Sequence, residues 1–248
     1  MHPICRLPFA GLLLCITPAN AQTPVDAALA GTTRPDANPA TDAAHRSCRV
    51  ERPPLLPRAV ASFGAARSGG WLYVFGGHVG RAHAHSSNNV TGAFHRLNLA
   101  DGTSWQALPD GPPLQGTALA AGPDGSLYRV GGMTARNEAV GDDDLWSTAS
   151  VARFDPDAQR WHELLPLPEP RSSHDAVVLD SKLYVVGGWQ LAGGEDGTWA
   201  STAWVADLAT EPLQWQPLPA PPPRRAAALA ATPGSLWLLG GMGPDGVL

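Results

Sequence analysis

The run Leu183-Tyr184-Val185-Val186-Gly187-Gly188 joins four apolar or aromatic residues to a glycine pair, in a chain of 248 residues. Similar runs occur at residues 72–77, 127–132 and 236–241. The first glycines of the four runs are 55, 56 and 53 residues apart. Four runs at nearly constant spacing indicate that one structural unit is repeated along the chain.

Each repeat contains four strand-like runs, which the third repeat has at residues 174–179, 182–186, 202–208 and 214–218. Asp180-Ser181 is predicted to form a two-residue hairpin connection, and Asp124-Gly125 takes that place in the second repeat. The run before the glycine pair is apolar on both faces, as in a strand that is covered on both sides. The sequence therefore predicts antiparallel sheets stacked face to face, with the glycine pair allowing close backbone approach.

A tryptophan follows each of the first three glycine pairs at a similar distance. Trp105, Trp161 and Trp215 come 29, 30 and 28 residues after the first glycine, and each leads into a Leu-Pro pair. A constant offset predicts one structural position that is repeated in successive units. We expect the three indoles to be substantially buried there.

The period, the glycine pair that closes an apolar strand and the downstream tryptophan resemble the kelch repeat, which builds β-propeller blades. This resemblance implies an all-β fold, an incomplete kelch-type β-propeller of about three and a half four-stranded blades over residues 58–248. We expect a truncated gene product or completion by another chain. Kelch repeats carry an arginine 16 residues before the glycine pair, as Arg171 and Arg224 do, whereas Gln115 and Val60 take that place in the second and first repeats.

The N-terminal segment predicts export. Residues 1–21 combine Arg6, a short apolar run and Ala19-Asn20-Ala21, as in a signal peptide with its cleavage site. Residues 22–57 are rich in Ala, Thr, Pro and Asp and predict a flexible linker. The protein is therefore expected to be periplasmic or secreted, with Cys48 as the remaining cysteine, either a free thiol or an interchain partner.

Composition excludes two classes of partner. The formal net charge is −5 and basic runs are absent, which argues against nucleic-acid binding. Apolar runs stay below the roughly 20 residues of a membrane span.

Candidate binding residues lie on the long connections between the second and third strands, at residues 79–93, 134–149 and 190–201, which leave one end of antiparallel blades. The first offers histidines that suit a metal, although a hydrated polar loop is favoured and no metal is predicted. In the second, Asp142-Asp143-Asp144 suits either a hard cation or a solvated turn. In the third, tryptophans beside carboxylates suit either sugar stacking or loop packing.

Arg171 and His174 flank the start of an innermost strand, and the resemblance to kelch propellers implies that such positions approach the central channel. An arginine there either ties neighbouring blades or contacts a ligand. The predicted ligand-binding face comprises His78, Arg81, His83, His85, Arg171, His174, Trp189, Glu195 and Trp199.

Three functions follow from the resemblance. The first is an exported binding module for a glycan or a protein. The second is a sugar-processing enzyme of the mutarotase or epimerase kind, since sialic-acid mutarotases are exported kelch propellers, and the third is an inactive truncated remnant. Galactose-oxidase-like copper chemistry is excluded because Tyr73, Tyr128 and Tyr184 all occupy one scaffold position, so no cofactor is predicted.

Overall fold

A computed structural model describes residues 53–194 and 196–247 of the chain. The predicted signal peptide, most of the predicted linker, Cys48 and Glu195 lie outside the described residues. The described part is built from strands, and its one helical segment is the 3₁₀ turn Ser87–Asn89. Within it, no helix has the length and apolar character needed to span a membrane.

Three four-stranded antiparallel sheets and one two-stranded sheet form the repeated blades. The first blade has the strand order β1-β2-β3-β4. Its strands are β1 (Gly64–Ser68), β2 (Trp71–His78), β3 (Val90–Asn98) and β4 (Trp105–Leu108). The second region contains β5 (Ala118–Ala121), β6 (Leu127–Val130), β7 (Met133–Ala135), β8 (Leu145–Ser147), β9 (Val151–Asp155) and β10 (Arg160–Leu164). Of these, β5, β6, β9 and β10 form the second blade.

The third and fourth blades follow the same plan. The third region contains β11 (Asp175–Leu179), β12 (Lys182–Val186), β13 (Trp189–Gln190), β14 (Ala192–Gly193), β15 (Thr198–Trp199), β16 (Ala203–Asp207) and β17 (Trp215–Leu218). The third blade is β11-β12-β16-β17, so each predicted strand is confirmed to within one residue at either end. The fourth region contains β18 (Ala228–Thr232), β19 (Ser235–Leu239), β20 (Met242–Gly243) and β21 (Gly246–Val247). The described sheets do not close into a ring, which confirms an incomplete propeller.

A chain of backbone hydrogen bonds joins the inner edges of the blades. Each blade begins with a residue in the left-handed region, with φ between 52° and 58°. The N–H of Gly116 donates to Ser62, that of Ser173 to Gly116 and that of Ala226 to Ser173, at 2.7–2.8 Å. The innermost strands are therefore held side by side around a common axis.

The glycine pairs are required by the contact between successive blades. A Cβ at Gly131 would lie 2.5 Å from the carbonyl oxygen of Arg171 in the next blade, and one at Gly187 would lie 2.7 Å from that of Arg224. The second glycine donates its N–H to the same carbonyl group, as Gly132 does to Arg171 at 2.9 Å. A side chain at the first position would push neighbouring blades apart.

These contacts correct two details of the predicted repeat. Gly77 donates to the carbonyl of Leu114, so Leu114 and not Gln115 is the structural counterpart of Arg171. The cause lies in the connection from β5 to β6, which spans residues 122–126 and is not the predicted two-residue hairpin. This longer turn adds one residue and shifts the spacing by one.

The repeated tryptophans join each blade to the segment that precedes it. Trp105, Trp161 and Trp215 occupy equivalent positions at the start of the outermost strands, as predicted, but all three are half-buried and not fully enclosed. Each indole N–H donates to a backbone carbonyl about 50 residues earlier. These bonds run from Trp105 to Pro54 at 2.9 Å, from Trp161 to Pro109 at 3.1 Å and from Trp215 to Leu165 at 3.3 Å.

The two complete interfaces between blades have different cores. The first is aromatic, with Phe94 packing edge-on against Phe154 at a centroid distance of 4.9 Å. Arg129, which interrupts an otherwise apolar strand, lies in this interface 5.3 Å from the ring centre of Trp161 and pairs with Glu163 at 3.1 Å. The second interface is mostly aliphatic and small.

Candidate ligand-binding face

The three long connections meet at one end of the blades, which confirms the topological prediction. We call the surface formed by residues 79–89, 133–150 and 189–202 the loop face. The side-chain amide of Asn137 donates to the carbonyl of His85 at 2.7 Å, and the N–H of Ser87 donates to the carbonyl of Asn137 at 2.8 Å. The hairpins at the other end also meet, since the Ser68 hydroxyl donates to the carbonyl of Gly125 at 2.9 Å.

The second and third connections share a small sheet. Strands β7, β8 and β14 form three strands in the order β14-β8-β7, so that the third blade supplies one strand to a sheet of the second. The N–H of Leu191 donates to the hydroxyl of Ser147 at 3.0 Å, and that hydroxyl lies 3.0 Å from the hydroxyl of Ser172. The loop face is therefore an ordered layer above the blades.

The predicted histidines of the first connection are brought together. The rings of His78 and His85 lie 5.3 Å apart, and those of His83 and His85 lie 6.4 Å apart. His78 is buried with Nε2 2.9 Å from the carbonyl of Arg81, whose own side chain is exposed. Burial lowers the pKa of His85, an effect that Asp143 opposes and the two other histidines reinforce. The neutral form of His85 is therefore favoured.

Trp189 and Trp199 also lie together, joined by an arginine that the sequence analysis missed. Their ring centres are 6.3 Å apart, and β13 pairs with β15 through these two residues. The guanidinium carbon of Arg225 lies 3.8 Å from the ring centre of Trp189 and 5.6 Å from that of Trp199. Arg225 comes from the fourth repeat, immediately after the arginine of the kelch pattern, and that adjacency was the available signal.

Arg171 lies beneath the loop face and contacts protein groups. Its side chain is 1% exposed. One guanidinium nitrogen donates to the carbonyls of Gly187 at 3.2 Å and Thr202 at 3.0 Å, and the other contacts Glu169 at 3.2 Å and the Thr202 hydroxyl at 2.8 Å. Arg171 therefore stabilises the third blade through hydrogen bonds within that blade.

His174 is buried against the preceding blade. A Cβ at Gly131 would lie 2.7 Å from His174 Cε1, and neither ring nitrogen has a hydrogen-bond partner of normal geometry within the described part of the chain. Burial, together with the positive charge of Arg171, lowers the pKa of His174 to about 3, and the nearby carbonyl of Val130 opposes only part of this shift. His174 is therefore uncharged at physiological pH.

Asp175 is a second polar residue at a blade interface that the sequence analysis did not select. Its carboxylate accepts the N–H of Leu229 in the fourth blade at 2.7 Å and the N–H of Ala176 at 2.8 Å. Burial raises the pKa of Asp175, and these two N–H groups oppose the shift. Asp175 therefore links the third and fourth blades through a hydrogen bond.

Two acidic residues of the second connection, Asp143 and Asp144, act on different partners. Asp144 accepts a hydrogen bond from the indole N–H of Trp146. The negative charge of Asp143 opposes the lowering of the pKa of His85. The guanidinium of Arg136 covers Trp146, at 3.9 Å from the ring centre. Among residues 53–194 and 196–247, no three His, Cys, Asp or Glu side chains are grouped so that they could hold a metal ion.

Comparison with known proteins points to one family, although no family model matches the chain. The chain is 31% identical over 152 residues to beta-scruin of Limulus polyphemus and 32% identical over 155 residues to Kelch-like protein 33 of Homo sapiens. Each match covers 60% of this chain, but only 15% and 26% of those proteins. Kelch-like protein terF of Aspergillus terreus is 29% identical over 187 residues, which cover 71% of this chain and 38% of that protein.

A solved structure has the same fold. The structure of YjhT superposes with a TM-score of 0.59 over 76% of this chain and 60% of that chain, at 19% identity. At that identity the likeness concerns the fold alone. Repeated four-stranded blades, glycine pairs at the contacts between blades and this superposition define a β-propeller. Together with the related sequences, they support a kelch-repeat family for this chain.

Proposed function

We propose that the protein is an exported kelch-repeat binding module that recognises a protein ligand through its loop face. The observation that carries this proposal is the stack of Arg225 on Trp189, at 3.8 Å, beside Trp199. Tryptophan and arginine are the residues that most often dominate binding at protein interfaces. Trp189 and Trp199 are paired through β13 and β15, and Arg225 is held by a backbone bridge to Met242, so binding orders few groups and loses little conformational entropy.

A protein ligand is favoured over a glycan by the state of the tryptophan rings. A sugar needs an open aromatic face, and Arg225 lies over Trp189 while Arg136 lies over Trp146 at 3.9 Å. Gly197 also packs so closely that a Cβ there would be 2.6 Å from the ring of Trp189. A glycan is the second candidate, because Trp199 is half-buried and lies farther from Arg225, at 5.6 Å.

The sugar-processing alternative receives less support from the residues that were expected to approach the channel. Such an enzyme needs an acid and a base that reach the substrate. The guanidinium of Arg171 is committed to protein acceptors, and His174 is buried and uncharged at neutral pH. Export and a periplasmic or secreted location belong to the proposal, on the basis of residues 1–21.

The proposal is tested with immobilised protein lacking residues 1–21, exposed to the exported proteins of the source organism and to a glycan array. Arg225→Glu reverses the one charge that lies over Trp189 of the loop face. The matched control Arg67→Glu reverses a charge on β1 near the hairpin end. We expect a protein ligand that binds the wild type and the Arg67 variant equally and binds the Arg225 variant at least about tenfold more weakly.

Two results would contradict the proposal. Equal loss of the ligand in both variants would show that the contact does not depend on the loop face. Binding to a defined sugar that is abolished by Trp199→Ala, with no protein ligand retained, would establish the glycan alternative. Circular dichroism and urea unfolding of each variant verify that the propeller is folded.

A further inference from the structure

A groove on the outer flank separates the second and third blades, away from the loop face. Its volume is about 460 Å³. Apolar side chains of Leu164, Leu208 and Leu213 form its walls, together with Tyr128, which is 5% exposed. Volumes of this size are typical of pockets that take small molecules or single side chains of a partner.

The interface that the groove borders lacks the aromatic side chains of the first interface. In the first blade Phe75 pairs with Phe94, whereas the corresponding pair in the second blade is Val130 and Val151. On the facing blade, the position of Phe154 is taken by Ala206. Each change replaces a benzyl side chain with one of one to three carbon atoms, and these smaller residues are packed in the core beside the groove, not in its lining.

The groove has two neutral polar side chains, those of Tyr128 and Thr210, and an excess of negative charge. The Tyr128 side chain lies in it, and among the described residues nothing hydrogen-bonds to its hydroxyl. Burial raises the pKa of Tyr128, so the phenol stays neutral at physiological pH. Asp124 pairs with Arg153 at 2.7 Å and Glu163 pairs with Arg129 at 3.1 Å.

Glu211 is the remaining carboxylate of this lining, and within residues 53–194 and 196–247 no cation lies within ion-pair distance of it. A ligand that suits these groups carries one positive charge, donates hydrogen bonds and has an apolar stem. Lysine-type ammonium groups have this form, a compact charge with three donors on a flexible aliphatic chain.

We propose that the groove binds a primary ammonium group on an unbranched aliphatic chain, with Tyr128 and Glu211 as acceptors and the leucines around the methylene groups. The chemistry fits the lysine side chain of a partner protein and a free alkyl diamine equally. This groove is separate from the loop face, so the proposal does not depend on the proposed function.

The test measures binding of two amines and one neutral analogue to the protein by calorimetry. The amines are Nα-acetyl-lysine amide and 1,5-diaminopentane, and Nα-acetyl-norleucine amide has the same aliphatic stem without the charge. We expect both amines to bind at least about tenfold more tightly than the norleucine compound. Tighter binding of the lysine compound identifies a partner's side chain as the natural ligand, and tighter binding of the diamine identifies a free amine.

Two variants locate the site and one controls for general charge. Glu211→Gln should weaken amine binding about fivefold, and Tyr128→Phe should weaken it about threefold. Asp101→Asn removes a carboxylate from the corresponding connection of the first blade, outside the groove, and should change the affinity less than about 1.5-fold. Equal affinity for lysine and norleucine compounds, no amine binding at about 10 mM, or an unaltered affinity in the Glu211 variant would overturn the proposal.

Discussion

Acidification should destabilise the protein through His174 well before most carboxylates are protonated. The folded-state pKa of this histidine is about 3 and its unfolded value is 6.5, so the folded state favours the neutral ring. The contribution of His174 to stability is complete above pH 6.5 and is lost as the pH falls toward 3. Within that window the slope approaches about 1.4 kcal/mol per pH unit.

The expected loss between pH 7 and pH 5 is about 2 kcal/mol, obtained by integrating proton uptake for those two pKa values. This is a measurable part of the roughly 5–15 kcal/mol by which domains are usually stable. Urea unfolding at several pH values measures it directly. His174→Thr is the matched control, because Thr117 occupies the corresponding position of the second blade.

The control variant removes the titrating ring and keeps the other groups that respond to pH. Asp175, whose raised pKa makes the folded state more stable as the pH falls, contributes equally to both proteins and cancels in the comparison. The variant starts from a lower stability, since it leaves space, but its pH dependence should be flatter by about 2 kcal/mol between pH 7 and 5. Profiles that agree within about 0.5 kcal/mol would refute the reasoning, as would a titration of His174 near pH 6.5 by nuclear magnetic resonance.

Three further predictions follow from the contacts between blades. Trp161→Ala should lower the free energy of unfolding by about 3 kcal/mol, and Trp161→Phe, which keeps an aromatic ring but loses the bond to Pro109, should lower it by about 1 kcal/mol. Urea unfolding measures both, and an unchanged stability of the Phe variant would deny the bond a role. Gly187→Ala should cost at least about 2 kcal/mol more than Gly234→Ala, because both have φ near +75° but only Gly187 faces a carbonyl group, so equal costs in the same assay would contradict the contact. Asp175→Ala should accelerate amide hydrogen exchange at Leu229 about tenfold, and unchanged exchange would show that the carboxylate does not hold that N–H.

The sequence predicted the features of the fold that recur in every blade because the backbone contacts between blades require them. The glycine pairs recur because a carbonyl group of the next blade occupies the space of a side chain, so their spacing shows the period. The strands of the third blade are bounded by a tight hairpin at Asp180-Ser181, and their limits were predicted almost to the residue. The second blade has a longer turn in that place, and its length depends on the conformation of the turn. Equal spacing therefore placed the counterpart of Arg171 at Gln115, one residue away from Leu114.

The site was predicted at the level of loops but not of contacts. Alternation of antiparallel strands determines which connections share an end, so the meeting of the first and second connections follows from strand order. The pairing of Arg225 with Trp189 depends instead on a bridge between Arg225 and Met242 and on the distance between neighbouring blades. The residue spacing within one repeat does not predict this contact between two repeats. Burial of the repeated tryptophans was overestimated because they lie on the outermost strands.

An internal repeat also provides its own comparison for individual residues. Arg129 stands where the first and third repeats have Val74 and Val185, and Asp175 stands where the first and second have Gly64 and Ala118. The shared fold does not need charge at these positions, and burying charge without partners is unfavourable. Arg129 has Glu163 and Asp175 has the N–H of Leu229, so each departure coincides with a contact that the other blades lack. The features particular to this protein are therefore concentrated between its blades, at the positions where the repeat departs from its own pattern.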